Sequence, residues 1–185
     1  MENSIKDSYN KICKKWSEFR KNTSINQCIV DFANNLSPNS RVLDIGCGTG
    51  YPIALYLSKQ GFQVTGIDIS EEMIKQAQKL NLHNATFLVE DILNFKTDKK
   101  YDAIIAFDSI WHIRYDKQEC IYQIISSLLT SGGLFLFTHG KNDGEIISTM
   151  WKESFYHSAL DLEKVRESHS LIEASASQLK PSNLS

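Results

Sequence analysis

The sequence has no cysteine pair at metal-binding or redox spacing. Its four cysteines, Cys13, Cys28, Cys47 and Cys120, are scattered and include no C-x-x-C. That pattern argues against a zinc site or a disulfide framework, and it fits a reducing compartment, so the expectation is a cytoplasmic protein without a bound metal. No stretch approaches the ~20 apolar residues of a membrane span. The N-terminus alternates lysine with polar residues and has no apolar run of the signal-peptide kind. Excess basic charge is missing too: 20 Lys and Arg stand against 22 Asp and Glu, for a net charge of −2. Nothing electrostatic therefore speaks for nucleic acid or an anionic membrane as partner. No internal repeat and no second domain is visible. What remains, 185 residues at 42% hydrophobic and 23% charged, is ordinary for one globular domain with a real core.

The chain is organised around Val42-Leu43-Asp44-Ile45-Gly46-Cys47-Gly48-Thr49-Gly50. Val42, Leu43 and Ile45 are the apolar run of a buried strand, and the glycines that follow force a turn. Pro52 then opens a helix at a position where its missing N–H costs nothing. Strand, glycine turn and helix together bring backbone N–H groups and a helix N-terminus beside a ligand. The dinucleotide fingerprint G-x-G-x-x-G fails here, because Tyr51 stands where the third glycine belongs. The carboxylate of Asp44 would oppose phosphates but suits a ligand carrying an ammonium or sulfonium group.

Around this stretch, strands alternate with helices. Apolar positions at Ile5, Tyr9, Ile12, Trp16 and Phe19 predict a helix over 5–20, and a second covers 25–36. Strands are expected at 63–69, 85–89, 101–107 and 134–138, the last entered through a turn at Ser131-Gly132-Gly133. Ser70, followed by Glu71 and Glu72, caps a helix reaching Leu80, and 118–129 makes another. Helices are also expected over 145–151 and 161–174. Strict alternation predicts a doubly wound, mostly parallel Rossmann-like α/β sheet in strand order 3-2-1-4-5. The expected layout is a single domain over 1–174, with an N-terminal helical cap (1–40), a binding core (41–138) and a C-terminal helical segment (139–174). A polar tail occupies 175–185.

Asp44, Asp68, Asp91 and Asp108 each fall at or just past a strand's carboxyl end, where open α/β sheets bind ligands. Asp44-x-Gly46-x-Gly48-x-Gly50 resembles motif I of the class I S-adenosylmethionine-dependent methyltransferases. The likeness runs from about Val42 to Thr138, with motif-like sequences after each strand in the family's order. It implies S-adenosylmethionine as cofactor, held by Asp44, Gly46, Cys47, Gly48 and Gly50. Asp68 would take the ribose hydroxyls with Ile69 against the adenine. Asp91 and the Ile92 backbone N–H would read the adenine edge, and Phe107 with Asp108 would hold the methionine amino group. In this family an N-terminal helical segment often lies over the site as a lid.

Methyl transfer by in-line displacement needs alignment of nucleophile, carbon and sulfur within ~3–3.5 Å, and a base only when the acceptor must lose a proton. Trp111, His112, His139, Tyr156 and His157 are the candidates near the donor, with His112 the first choice as catalytic residue. Asp108-Ser109-Ile110-Trp111 lacks the paired prolines of enzymes that methylate nucleobase or glutamine amines. The reading is a methyltransferase acting on a small-molecule acceptor. The alternatives are a non-catalytic protein that binds S-adenosylmethionine or S-adenosylhomocysteine, and a nicotinamide-dependent oxidoreductase disfavoured by Tyr51 and Asp91. The family usually completes its sheet with two further strands beside the fifth. No β-branched or aromatic run follows residue 174, and Pro181 opposes a central strand. The hairpin is therefore expected to be missing, leaving strand five as an edge open to a homodimer.

Overall fold

Val42 and Leu43 point to opposite faces of the same strand and are both fully buried, and the sheet grows outward from them. The computed structural model describes residues 4–161 and 163–165. The strand β1 (Arg41–Ile45) lies between β2 (Gln63–Asp68) and β4 (Tyr101–Ala106), with β3 (Ala85–Val89) and β5 (Leu129–Phe137) outside them. All four pairings are parallel and the order is 3-2-1-4-5, as the alternation predicts. Period-two alternation divides the core. Val42, Val64, Ala103 and Ile105 face α2 (Gln27–Asn34), α3 (Ile53–Lys59) and α4 (Glu71–Gln78). Leu43, Ile45, Ile104 and Ala106 face Ile121, Tyr122 and Ile125 of α5 (Gln118–Leu128). Each such aliphatic side chain contributes about 1.5–3 kcal/mol on burial.

The N-terminal helix α1 (Ile5–Lys21) starts at Ser4, whose hydroxyl oxygen accepts from the Asp7 N–H at 3.2 Å. Ser70 caps α4 in the same way, accepting from Met73 N–H at 3.1 Å. The helix α1 does not join the main core. It lies across the carboxyl end of the sheet, where Ile12 and Cys13 pack with Met73 and Phe155. Asn10 ties it to α4, accepting from the Ser70 hydroxyl at 2.6 Å, and Lys6 pairs with Glu71 at 2.5 Å.

Two expectations are corrected. Residues 144–150 are not helical but form β6 (Gly144–Met150), antiparallel to β7 (Glu153–Ala159) in a separate two-stranded sheet. The physical signals are the β-branched run Ile146, Ile147 and Thr149, and the two-residue turn Trp151-Lys152, whose φ values of 50° and 72° suit a tight hairpin. The expected C-terminal helical segment is therefore a hairpin over 144–159. The helix predicted for 161–174 falls almost entirely outside the described residues, and the tail at 175–185 wholly so. Second, Ser131-Gly132-Gly133 is not a turn before the fifth strand but an irregularity within it. Pairing skips from Tyr101 with Leu129 to Ala103 with Leu134. Among the described residues no strand pairs with the outer edge of β5, and the stretch after Asp161 on which the expectation of a missing sheet hairpin rests lies almost wholly outside the described residues. No helix among them is long and apolar enough to cross a membrane.

The β6–β7 hairpin packs against α1. Phe155 stands 5.0 Å from the Tyr9 ring, Ser8 donates to Ser154 O at 2.9 Å, and Lys11 pairs with Glu153 at 3.0 Å. Because the central strand carries the core, Leu43→Ala should lower unfolding free energy in urea by about 2–5 kcal/mol. Ile147→Ala, on a side chain 71% exposed, should change it by less than about 0.5 kcal/mol.

Candidate functional site

The carboxyl ends of β1, β2, β3 and β4 open into one cleft of about 270 Å³, roofed by α1. Its floor is the glycine loop. Gly46 and Cys47 N–H both donate to Ile67 O, at 2.8 and 3.0 Å, so the loop is sewn to the end of β2. Gly48 N–H donates to the Asp68 carboxylate at 2.9 Å, and Asp68 also accepts from Ser70 N–H at 2.8 Å. Asp68 thus bridges the loop and the start of α4. Gly48 has φ +53°, and a Cβ there would lie 3.3 Å from Trp16 Nε1 of the roof. Any side chain would fill the space between floor and roof.

Of the residues singled out from sequence, Asp44, Gly46, Cys47, Gly48, Asp68, Ile69, Asp91, Ile92, Phe107, Asp108 and His112 all line this cleft. Gly50 does not. A Cβ on it would lie 2.7 Å from Leu80 Cδ1, 3.4 Å from Phe87 and 3.5 Å from Ala77, so the turn packs closely at this point. His139, His157, Tyr156 and Trp111 are also absent from the lining, although the last three surround His112.

The electrostatics are unusual for an interior. Asp44 is 2% exposed and its Oδ2 has no hydrogen-bond partner among the described residues; the same holds for the buried Oδ1 of Asp108. Burial raises the Asp44 carboxyl to about 7, against a counter-pull from Arg20. Asp68 is pushed up to about 6 by burial, resisted by its two backbone donors, and Asp108 is raised by burial as well. Asp108 adopts φ +56°, a conformation that non-glycine residues seldom take, with its N–H held by Thr138 Oγ1 at 2.7 Å. Asp91 forms a local turn, accepting from Leu93 N–H at 3.0 Å.

The sequence reading missed Arg20. It lines the cleft, lies 5.5 Å from the Trp16 ring centroid, and donates from Nε to Tyr51 O at 3.4 Å. Its charge acts on both Asp44 and Asp108. A signal was present: Arg20 follows Trp16 by one helical turn, so it extends the stripe of Tyr9 and Trp16 and not the lysine face.

A model of the methyltransferase domain family matches residues 36–180. The carboxy-S-adenosyl-L-methionine synthase of Campylobacter fetus subsp. fetus is 36% identical over 110 residues, covering 57% of this chain and 47% of that protein. The ubiquinone biosynthesis O-methyltransferase of Chromobacterium violaceum is 29% identical over 144 residues, covering 71% and 60%. The chain thus spans about half the length of these curated relatives. Among solved structures, the magnesium protoporphyrin IX methyltransferase of Synechocystis PCC 6803 with bound SAM superposes with a TM-score of 0.61 at 21% identity, over 84% of this chain and 94% of that one. The DhpI-SAM-HEP complex gives 0.63 at 22%, over 90% and 88%. With a family model spanning most of its length and a 3-2-1-4-5 sheet opening on an acid-lined glycine cleft, the chain belongs to the class I S-adenosylmethionine-dependent methyltransferases.

Proposed function

We propose that this chain binds S-adenosylmethionine in the cleft under α1 and transfers its methyl group to a small-molecule acceptor by in-line displacement. The observation that carries the reading is the pair of buried carboxylate oxygens, Asp44 Oδ2 and Asp108 Oδ1, without hydrogen-bond partners among the described residues. Interiors seldom tolerate such groups unless something outside the chain completes them. A ligand with an ammonium and a sulfonium group supplies the missing positive charge. In this reading Asp44 and Asp108 face the amino group, and Arg20 faces the carboxylate of the same amino acid. Asp68 takes the ribose hydroxyls, and Asp91 with the Ile92 N–H reads the adenine between Ile69 and Ile92.

Bound there, the cofactor supplies a methyl on sulfur whose bonding pair stays with sulfur as the acceptor's lone pair forms the new bond. The chain's own work is exclusion and alignment. The roof helix and Trp16 keep water off the glycine loop, and the aromatic wall of Tyr9 and His112 shapes the acceptor end. A small acceptor is supported by the names of similar proteins, one an O-methyltransferase of ubiquinone biosynthesis and one a methyltransferase of magnesium protoporphyrin IX.

Calorimetric titration tests the reading, with transfer of a labelled methyl to a panel of hydroxyl, amine and thiol acceptors as the second arm. Asp68→Ala should weaken S-adenosylmethionine by about 1.5–3 kcal/mol, the range for hydrogen bonds to a charged group. Unchanged affinity would refute the ribose assignment. Gly48→Val should abolish binding while circular dichroism shows a folded chain, because the new side chain meets Trp16.

The pH dependence follows from the raised carboxyls. With folded values near 7 and 6 against an ordinary 3.8, Asp44 and Asp68 cost stability once ionised and favour folding as pH falls toward 4. His112, which burial holds down at about 3 against an ordinary 6.5, works the other way, costing stability as pH falls below 6.5. Binding is the cleaner readout, since a cationic ligand requires the ionised acids. Affinity should fall as pH is lowered from 7.5 to 5.5, with net proton release on binding near pH 6.5, measured by titration in buffers of different ionisation enthalpy. A flat profile would contradict this.

A further inference from the structure

The loop after β4 carries His112 into the wall of the cleft, and a buried side chain outside the cleft holds that loop in place. Gln118 is the first residue of α5, so its side chain reaches back over the loop it follows. Its Nε2 donates to Ile110 O at 2.9 Å and Ile113 O at 3.1 Å. It also donates to Ser158 O at 3.3 Å and meets Ser158 Oγ at 3.0 Å. Carbonyl oxygens only accept, so the NH2 end of the amide must face them. Gln118 is 1% exposed, and carbonyls buried around it would be left unpaired without its two N–H groups.

Ser158 belongs to β7, and its hydroxyl donates to Ile113 O at 2.5 Å. One buried amide thus joins the start of α5, the loop after β4 and the second strand of the hairpin. The same junction decides the state of His112. Its Nδ1 lies 2.7 Å from the carbonyl oxygen of Tyr156 on β7, so Nδ1 carries the proton and Nε2 is an acceptor. Nε2 receives the Tyr9 hydroxyl at 2.8 Å and the Trp111 indole N–H at 3.2 Å. The tautomer therefore depends on how β7 is seated against the loop, and Gln118 is the buried donor that seats it.

We propose that Gln118 is a positioning residue for the acceptor wall: by joining the loop after β4 to β7, it gives His112 one tautomer and one orientation. Gln118 does not line the cleft and acts only through the loop. A wall ordered in this way presents the same donors and acceptors to every incoming molecule. The hairpin β6–β7 is then a fixed side of the site. Ligands enter by movement of α1, whose ties to the hairpin through Ser8 and Lys11 are polar and partly exposed.

This inference rests on reading the wall as the acceptor end, so its test is read from the His112 ring, with cofactor binding measured apart. The full chain is prepared with isotope-labelled histidine, and the His112 ring nitrogens are identified by their loss in His112→Leu. In the wild type, NMR should show Nδ1 protonated and Nε2 bare, unchanged from about pH 8 to about pH 5.5, a window that spans the ordinary histidine value. Gln118→Met keeps the length of the side chain and removes the donor. It should give mixed tautomers and a ring that titrates within that window. Ser158→Ala, which removes only the hydroxyl bridge, should move the same signals less, and it carries the test if Gln118→Met does not fold. Ile121→Val, fully buried on the same helix, should lower the thermal midpoint and leave the ring signals alone. S-adenosylhomocysteine, titrated by calorimetry, should bind Gln118→Met within about threefold of wild type. Ring signals unmoved by both Gln118→Met and Ser158→Ala, or moved as much by Ile121→Val, would overturn the proposal with the cofactor reading intact. So would a loss of S-adenosylhomocysteine affinity beyond that limit. A wild-type chain that does not bind S-adenosylhomocysteine would overturn the cofactor reading and the acceptor assignment of this wall together.

Discussion

Carboxylates buried at strand ends, each with one oxygen unpartnered among the described residues, are the constraint on which the rest of this structure depends. An ionised acid in a low-dielectric interior costs several kcal/mol unless paired and hydrogen-bonded. Asp44 keeps one oxygen unpartnered at 2% exposure, and Asp108 keeps another on a backbone of positive φ. The surrounding fold holds them there. β1 is pinned on both sides by parallel neighbours, and Ser109, next to Asp108, donates to Ile45 O at 2.7 Å. The two acid-bearing strand ends are thereby tied to each other. A site of this kind trades stability for unmet hydrogen-bonding capacity, which a donor or a positive charge from outside the chain can satisfy.

The roof answers that demand in part. Arg20 brings one positive charge toward Asp44 and Asp108 but makes no hydrogen bond to either unpartnered oxygen. It reaches them from a helix outside the main core, tied to α4 by Asn10 and Lys6 and to the hairpin by Ser8 and Lys11. These ties are polar and several are exposed, so each holds weakly. Ile12 and Cys13 add apolar contacts with Met73 of α4 and Phe155 of the hairpin. Such a roof is well suited to admit a ligand and to settle over it.

Much of this was legible from residues alone, for identifiable reasons. The central strands β1 and β4 are short apolar runs buried on both faces, the pattern that an interior parallel strand produces. The acids stood out because one lies at or just past the carboxyl end of each of the first four strands. The hairpin escaped because β6 is exposed along nearly its whole length, with Ile146 and Ile147 at 66% and 71%. A strand with no buried face has no alternation to read, and its β-branched run was the remaining signal. Gly50 shared a motif with Gly46 and Gly48, yet only the structure shows that its neighbours are Leu80, Phe87 and Ala77. Arg20 belongs to the cleft through tertiary placement of a helix whose docking site no periodicity encodes. The engagement of both His112 nitrogens likewise depends on Tyr156 and Tyr9, 44 and 103 residues away.

The central claim is that the acid-lined cleft beneath α1 is built for one ligand in one orientation. A crystal structure of the chain with S-adenosylhomocysteine tests it most directly. The account predicts ribose hydroxyls on Asp68, the adenine amine on Asp91 between Ile69 and Ile92, and the amino group completing Asp44 Oδ2 and Asp108 Oδ1. Electron density for the ligand elsewhere, or in the cleft with its amino acid turned toward Asp91, would contradict it.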